Sequence, residues 1–144
     1  MRIRSYCGIV DEVNTPDTPP TALESTVADA RQALAAADPA TPSQALPHLR
    51  IAAELVTRAI DEAMALTVLN ENVSIRAAAQ LAGLSENAVG PRLARTAALA
   101  QYGDQAGRVS AKGVERARYD VERGDYEPAA PAAAPMRFRA RRPD

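Results

Sequence analysis

The sequence has few residues of the kinds that build metal sites, disulfides and nucleophilic active sites. Cys7 is the only cysteine and His48 the only histidine among 144 residues. This excludes an intrachain disulfide, and no metal site built from cysteine or paired histidine is expected. A glycine-rich nucleotide loop is also missing, and Asp61 and Glu62, adjacent on one predicted helix, are interpreted as surface charges. We therefore predict no enzyme activity, no cofactor and no metal.

Aromatic residues and long apolar runs are also scarce. Aromatics make up 3% of the chain and Phe138 is its only phenylalanine, whereas a β-sandwich or barrel normally needs more aromatic and β-branched residues. The N-terminal stretch MRIRSYCGIV is too polar for a signal peptide, and no run approaches transmembrane length. We predict a cytoplasmic, all-α protein without a membrane partner: a small helical bundle with flexible N- and C-terminal segments.

The net charge of −1 conceals an asymmetry between the two halves of the chain. Residues 1–73 hold five arginines and ten acidic residues, a net charge of −5, whereas residues 74–144 hold twelve basic and eight acidic residues, a net charge of +4. Lys112 is the only lysine, so the positive charge is almost entirely arginine. Arginine suits forked contacts to phosphate and guanine, so the second half is the expected nucleic-acid side.

Proline-rich stretches divide the chain into three parts. Residues 1–20 are predicted to be a flexible arm or a short strand, residues 21–124 the helical domain, and residues 125–144 a disordered, basic tail rich in proline and alanine. The arm and the tail are both candidate sites for a protein partner. The tail could equally touch nucleic acid through its arginines, with Phe138 as the anchor if it docks on a protein instead. The tail arginines are Arg137, Arg139, Arg141 and Arg142.

Helix start and stop signals predict the main elements of the domain. Thr21 is placed to cap a first helix with a capping box. Pro47 suits the first turn of a long second helix that starts near Ser43 to Ala45 and reaches about Leu69. Ser110 can cap a last helix that ends at Gly124.

The segment from Ser74 to Arg95 carries the pattern on which the functional prediction depends. It places small residues where two helices would cross, a glycine in the turn between them, and a serine at the start of the second helix. This pattern resembles the helix-turn-helix of bacterial repressors and of the promoter-reading region of sigma factors, and the resemblance covers this segment alone. The residues that carry it are Ser74, Ala78, Ala79, Ala82, Gly83, Leu84, Ser85, Val89 and Leu93.

The resemblance implies that the second helix enters the major groove of DNA. Asn87 would then suit adenine and Arg92 guanine, while Arg76 would contact phosphate. The alternative is that these residues are the solvated face of a helical bundle. The predicted DNA-binding residues are Arg76, Ser85, Asn87, Arg92 and Arg95.

Pro91 departs from the pattern, because proline inside a helix loses a backbone hydrogen bond and crowds the preceding turn. Two geometries avoid this cost. Either a short turn stops at Gly90 and a new helix begins at Pro91, or the second helix runs on with a kink. Both geometries would shift the DNA contacts toward Arg92 and Arg95.

We expect a small DNA-binding protein that regulates transcription as a dimer, since one unit of this size makes few contacts. The acidic half would hold the dimer interface through Leu23, Val27 and Leu34 together with the long helix. The alternative is an oligomeric assembly subunit or an antitoxin-like interaction module with the same fold. A further group of basic residues could be a second phosphate-binding face or a solvated surface: Arg108, Lys112, Arg116, Arg118 and Arg123.

Overall fold

The computed structural model describes residues 21–129, and this part of the chain contains helices and no strands. The predicted all-α class is therefore confirmed. None of the helices in residues 21–129 is both long enough and apolar enough to cross a membrane. The elements are α1 (Ala22–Ala35), α2 (Pro42–Asn70), α3 (Ile75–Leu81), α4 (Glu86–Leu93), a short 3₁₀ helix (Ala100–Tyr102) and α5 (Ala111–Arg123).

The first helix begins where the sequence predicts. The Thr21 side chain accepts a hydrogen bond from the Glu24 amide at 3.2 Å, and the Glu24 carboxylate accepts one from the Thr21 amide at 2.7 Å. This reciprocal pair is the predicted capping box. It satisfies amides that have no partner inside the helix.

The long second helix begins earlier than predicted. Pro42 occupies its first turn, and Pro47, expected in that position, lies inside the helix. Both prolines have the φ angle that a helix needs, and the amide of Ala45 donates to the carbonyl of Thr41. The start at Pro42 therefore precedes the predicted start, Ser43 to Ala45, by only a few residues, and α2 extends over 29 residues.

The two ends of α2 have different surroundings. Its N-terminal half pairs with α1 in a helical hairpin, whose closest contacts are made by small buried residues such as Ala30, Ala45 and Ala52. Its C-terminal half enters the main core, against α3, α4 and α5. That core is made of buried aliphatic side chains, among them Met64, Val68, Ala78, Ala79, Val89, Leu93, Leu99, Val109 and Val114.

The last helix behaves as predicted, and the packed domain continues past it. Ser110 caps α5 by accepting from the Gly113 amide at 3.4 Å, and Gly124 ends the helix with a left-handed φ of 78°. Residues 125–129 then pack back onto the domain. The Tyr126 hydroxyl donates to the Ala98 carbonyl at 3.1 Å, and the Ala129 amide donates to the Ala97 carbonyl at 2.8 Å. The domain thus exceeds the boundary predicted at residue 124, while residues 1–20 and 130–144, which include the predicted arm and tail arginines, lie outside the described residues.

Candidate nucleic-acid interface

A four-residue turn, 82–85, connects α3 to α4 and fixes their relative direction. Gly83 has a φ of +68°, which is easily adopted only by glycine. The Leu84 amide donates to the Ala79 carbonyl at 2.9 Å, and the Gly83 amide donates to the Gln80 carbonyl at 3.2 Å. These two bonds form a Schellman motif. Leu84 is partly buried against the core, so the turn is held from inside as well as by its backbone.

Ser85 occupies the position before the first residue of α4, as predicted, but its hydroxyl does not cap the helix. The Ser85 backbone carbonyl accepts from the Ala88 amide at 3.0 Å. Its side chain makes no capping hydrogen bond within the described part of the chain. The exposed hydroxyl therefore remains a possible donor to an external acceptor such as phosphate.

Helix α4 continues through Pro91 and ends at Leu93. Of the two predicted geometries, the one in which a new helix begins at Pro91 is wrong, since residues 94–99 form turns. Pro91 has no N–H to donate to the carbonyl of Asn87, four residues earlier. That carbonyl instead accepts from Nη2 of Arg108 at 2.8 Å. Arg108, predicted as a phosphate contact or a solvated residue, replaces the donor that Pro91 lacks.

This replacement predicts an energetic coupling between Pro91 and Arg108. In the native background Arg108→Ala is expected to lower the free energy of unfolding by about 0.5 to 1 kcal/mol, as loss of one hydrogen bond typically does. In a Pro91→Ala background the new amide can donate to the Asn87 carbonyl, so the same substitution should cost little. A double-mutant cycle measured by urea unfolding checks this. Equal costs in the two backgrounds would contradict the assignment.

The loop before α5 lies against the middle of α4. The Val109 amide donates to the Gly90 carbonyl at 3.0 Å, and a Cβ added at Gly90 would lie only 3.2 Å from the Val109 carbonyl oxygen. The loop is itself fixed, because the Asp104 carboxylate accepts from the amides of Ala106 and Arg108 at 2.9 and 3.0 Å. Glycine at position 90 thus permits a backbone-to-backbone approach.

The opposite side of α4 is tied to α2 by an ion pair. Nε of Arg92 lies 2.7 Å from Oδ1 of Asp61, and the two side chains are 23% and 15% exposed. The N–H does not point along this contact, so Oδ1 has no directed hydrogen bond in the described residues. Burial raises the pKa of Asp61, and the nearby Arg92 and Arg95 offset this only in part. The prediction that Arg92 reads guanine therefore conflicts with its position, and Asp61 is a half-buried partner instead of a free surface charge.

Glu62 was expected to be a surface charge, and this is wrong. The residue is 8% exposed, and its Oε1 accepts from the Ala97 amide at 3.2 Å, which attaches the turns after α4 to α2. Burial is the main cause of the raised pKa of Glu62, and the Ala97 hydrogen bond opposes it. Tyr126 also has a raised pKa, because of its own burial first and the Glu62 charge second.

The raised pKa of Glu62 means that the folded state favours its protonated form. This contribution to stability is complete below the ordinary value of 4.5 and is lost as the pH rises through the higher pKa of the folded state. Glu62→Gln, which keeps an acceptor for Ala97, is therefore expected to exceed the native protein in thermal stability at pH 7. The difference should narrow as the pH falls toward 4.5. Glu115→Gln, at an exposed position of α5 with no ion pair in the described residues, is the control and should not show this narrowing. A Glu62→Gln protein less stable than native at pH 7 would contradict the prediction.

The N-terminal ends of α3, α4 and α5 open onto one groove, which we name the three-helix groove. Its lining includes Ser74 and Arg76 from the start of α3, Asn87 from the start of α4, and Arg108 and Ser110 before α5. Helix N-termini carry partial positive charge and attract anions. Two carboxylates, those of Glu86 and Asp104, line the same groove and make its charge mixed. Lys112, one residue after Ala111 of the lining, begins an adjoining shallow groove with Arg116.

The five predicted DNA-binding residues fall into two groups in the structure. Arg76 and Asn87 line the three-helix groove, with the exposed Ser85 at the start of α4. Arg92 and Arg95 are at the other end of α4, near Asp61, where Arg95 is exposed and Arg92 is largely enclosed. The structure therefore does not bring the five residues onto one surface.

Two arginines of the predicted second phosphate-binding face make structural hydrogen bonds. Besides Arg108, Arg118 of α5 donates through Nε and Nη2 to the Val68 carbonyl at 2.9 and 2.6 Å, and through Nη2 to the Val73 carbonyl at 3.1 Å. These are carbonyls at and beyond the C-terminal end of α2, which the helix itself leaves unsatisfied. A signal for an outside donor was present in the sequence, because a proline four residues after Asn87 leaves that carbonyl without its helical partner, although the pattern did not identify Arg108 as the donor. No comparable signal identified Arg118.

Comparison of the chain with known proteins found no matching family model, no matching curated protein and no matching solved structure.

Proposed function

We propose that this protein binds duplex DNA, mainly through the phosphate backbone, and that it regulates transcription as a dimer. The observation that carries the proposal is the three-helix groove, where three helix N-termini meet beside Arg76 and Arg108, with Lys112 adjacent. Backbone amides at helix ends and arginine side chains are the common phosphate donors of DNA-binding proteins. The two short helices with their glycine turn support the same interpretation, because in such units the first helix crosses the phosphate backbone while the second helix enters the major groove.

The packing of α4 favours backbone contact over base reading. The helix is held on one side by the Arg92–Asp61 pair and on another by the loop at Val109. Side chains left at its exposed N-terminal end are those of Glu86 and Asn87. A single amide side chain can discriminate at one base pair, by about 1 to 3 kcal/mol, so we propose weak overall sequence preference and strong dependence on salt.

The test is a fluorescence-anisotropy titration of the full chain into a labelled duplex of about two helical turns, which can hold two half-sites spaced by one turn. We expect saturable binding at low salt and clear weakening at physiological salt. Binding that is absent even at low salt would refute the proposal.

A second candidate is an oligomeric assembly subunit or an antitoxin-like interaction module. The specific observation in its favour is the exposure of large apolar side chains on the hairpin of α1 and α2, among them Leu34, Leu46, Leu49, Val56 and Ile60. Light scattering separates the two candidates, because a ring of many copies without DNA affinity favours assembly and a DNA-binding dimer favours regulation.

A further inference from the structure

Helix α2 carries an apolar stripe from Leu46 to Thr67. Its N-terminal part, as far as Ile60, is exposed in the described chain, while Ala63 and Thr67 are partly buried and line a groove beside α3. Seven residues follow one another at spacings of three and four, the heptad repeat of a coiled-coil seam. None of them is charged, and the four largest are between 38% and 65% exposed. We name this stripe the α2 seam; its members are Leu46, Leu49, Ala53, Val56, Ile60, Ala63 and Thr67.

The α2 seam is distinct from the surface by which α2 packs on α1. The intramolecular contact uses the neighbouring stripe of small residues, of which Ala45 and Ala52 are 3% and 2% exposed. The α2 seam instead borders an almost wholly apolar groove between the two helices, to which α1 contributes Leu23, Val27 and Leu34. The hairpin therefore presents a second apolar face after its own packing is complete.

We propose that a second copy of this chain covers the α2 seam, so that two hairpins form a four-helix bundle. The inference does not depend on DNA binding, since it rests on the hairpin alone. A helix that keeps a 3.5-residue apolar repeat over three heptads is suited to another helix of the same kind. A two-fold dimer uses the same patch on both copies, and an uncharged seam can face itself without repulsion. Beside the α2 seam, Arg50 and Glu54 pair with each other at 2.9 Å, so their charges cancel at the border of the proposed interface.

The size of this face reaches the lower bound for a specific interface. At about 1.5 Å per residue, the seam is roughly 33 Å long and α1 about 21 Å, and each helix is about 10 Å wide. The projected area of the two helices is therefore roughly 500 Å² per copy, or about 1,000 Å² for a pair. This figure does not include the irregular shape of the side-chain surface. A specific interface needs about 1,000 Å² in total. Packing of four helices at shallow angles is the usual way in which such hairpins bury their second face.

Sedimentation velocity of the full chain at about 50 μM, well above a micromolar Kd, tests the proposal. We expect a mass of twice the 15.2 kDa of one chain. Leu49→Glu and Ile60→Glu, made singly, should each reduce it to one chain with unchanged helical circular dichroism. His48→Glu introduces the same charge at an exposed position beside the seam and should leave the dimer intact.

A native protein that sediments as a monomer, or as an assembly larger than two chains, would overturn the proposal. So would seam variants that remain folded and dimeric. The DNA titration is a separate readout: a native protein that dimerises through the seam but does not bind DNA would refute the proposed function and leave this inference standing.

Discussion

Replacing Arg76 and Lys112 together with alanine is expected to weaken binding to duplex DNA by roughly tenfold at low salt, because each removes about one phosphate contact. Both residues are exposed in the first turns of helices whose N-terminal ends meet at the three-helix groove. Neither makes a side-chain hydrogen bond or ion pair in the described residues, so the fold should be unaffected. Anisotropy titration with the same labelled duplex measures the loss.

The matched control is Arg50→Ala with Arg58→Ala. It removes the same charge from exposed positions on the hairpin, far along α2 from the groove. Equal loss of affinity in the two double variants would mean that only net charge matters and would contradict the placement of the site. Arg92 is unsuitable for this test, because its replacement would leave the half-buried Asp61 carboxylate without its partner and would disturb the fold.

Gly113→Ala is expected to destabilise the domain by about 1 to 3 kcal/mol, the usual cost of overpacking a core. In an exposed helix interior the same change would stabilise the protein by up to about 1 kcal/mol, because alanine has the higher helix propensity. Helix propensity and overpacking therefore act in opposite directions at this position. Here sterics decide the sign. A Cβ at position 113 would lie 2.6 Å from the Tyr102 carbonyl oxygen, which is backbone and cannot rotate away.

Urea unfolding measures this change, with Glu115→Ala at an exposed position of α5 as the control. We expect the control to stay within about 0.5 kcal/mol of the native protein. A Gly113→Ala protein as stable as the native one would mean that α5 does not pack as closely on the 3₁₀ helix as described. The same contact holds the start of α5, where Ser110 lines the three-helix groove and Lys112 lies beside it, so loosening it should also reduce DNA affinity.

Local signals in the sequence predicted much of the helical framework. Each of four residues marks a helix end by a hydrogen bond to a residue at most four positions away: Thr21, Ser74, Ser110 and Gly124. A short sequence pattern can contain both partners of such a bond. The position of Pro47 was misjudged because Pro42 satisfies the same local rule one turn earlier. Where two residues fit a single local role, the sequence alone does not choose between them.

The contacts of the candidate site depend on residues distant along the chain, and these were not predictable from local patterns. Arg92 was expected to contact DNA, but it pairs with Asp61, which lies 31 positions earlier in the chain. The residues next to Arg92 in the sequence do not indicate this partner. Likewise, Glu62 accepts a hydrogen bond from an amide 35 positions away, and Arg118 donates to a carbonyl 50 positions away. Tertiary packing therefore gives some arginines partners inside the domain and leaves others exposed for the proposed interface.

The most direct test of the central proposal is the dependence of DNA affinity on salt for the native protein and for the Arg76→Ala, Lys112→Ala double variant. For phosphate contacts at the three-helix groove, log K should fall linearly with log salt concentration, and the double variant should have a slope shallower by about 2. Affinity that is independent of salt, or a slope that the double variant leaves unchanged, would contradict the account.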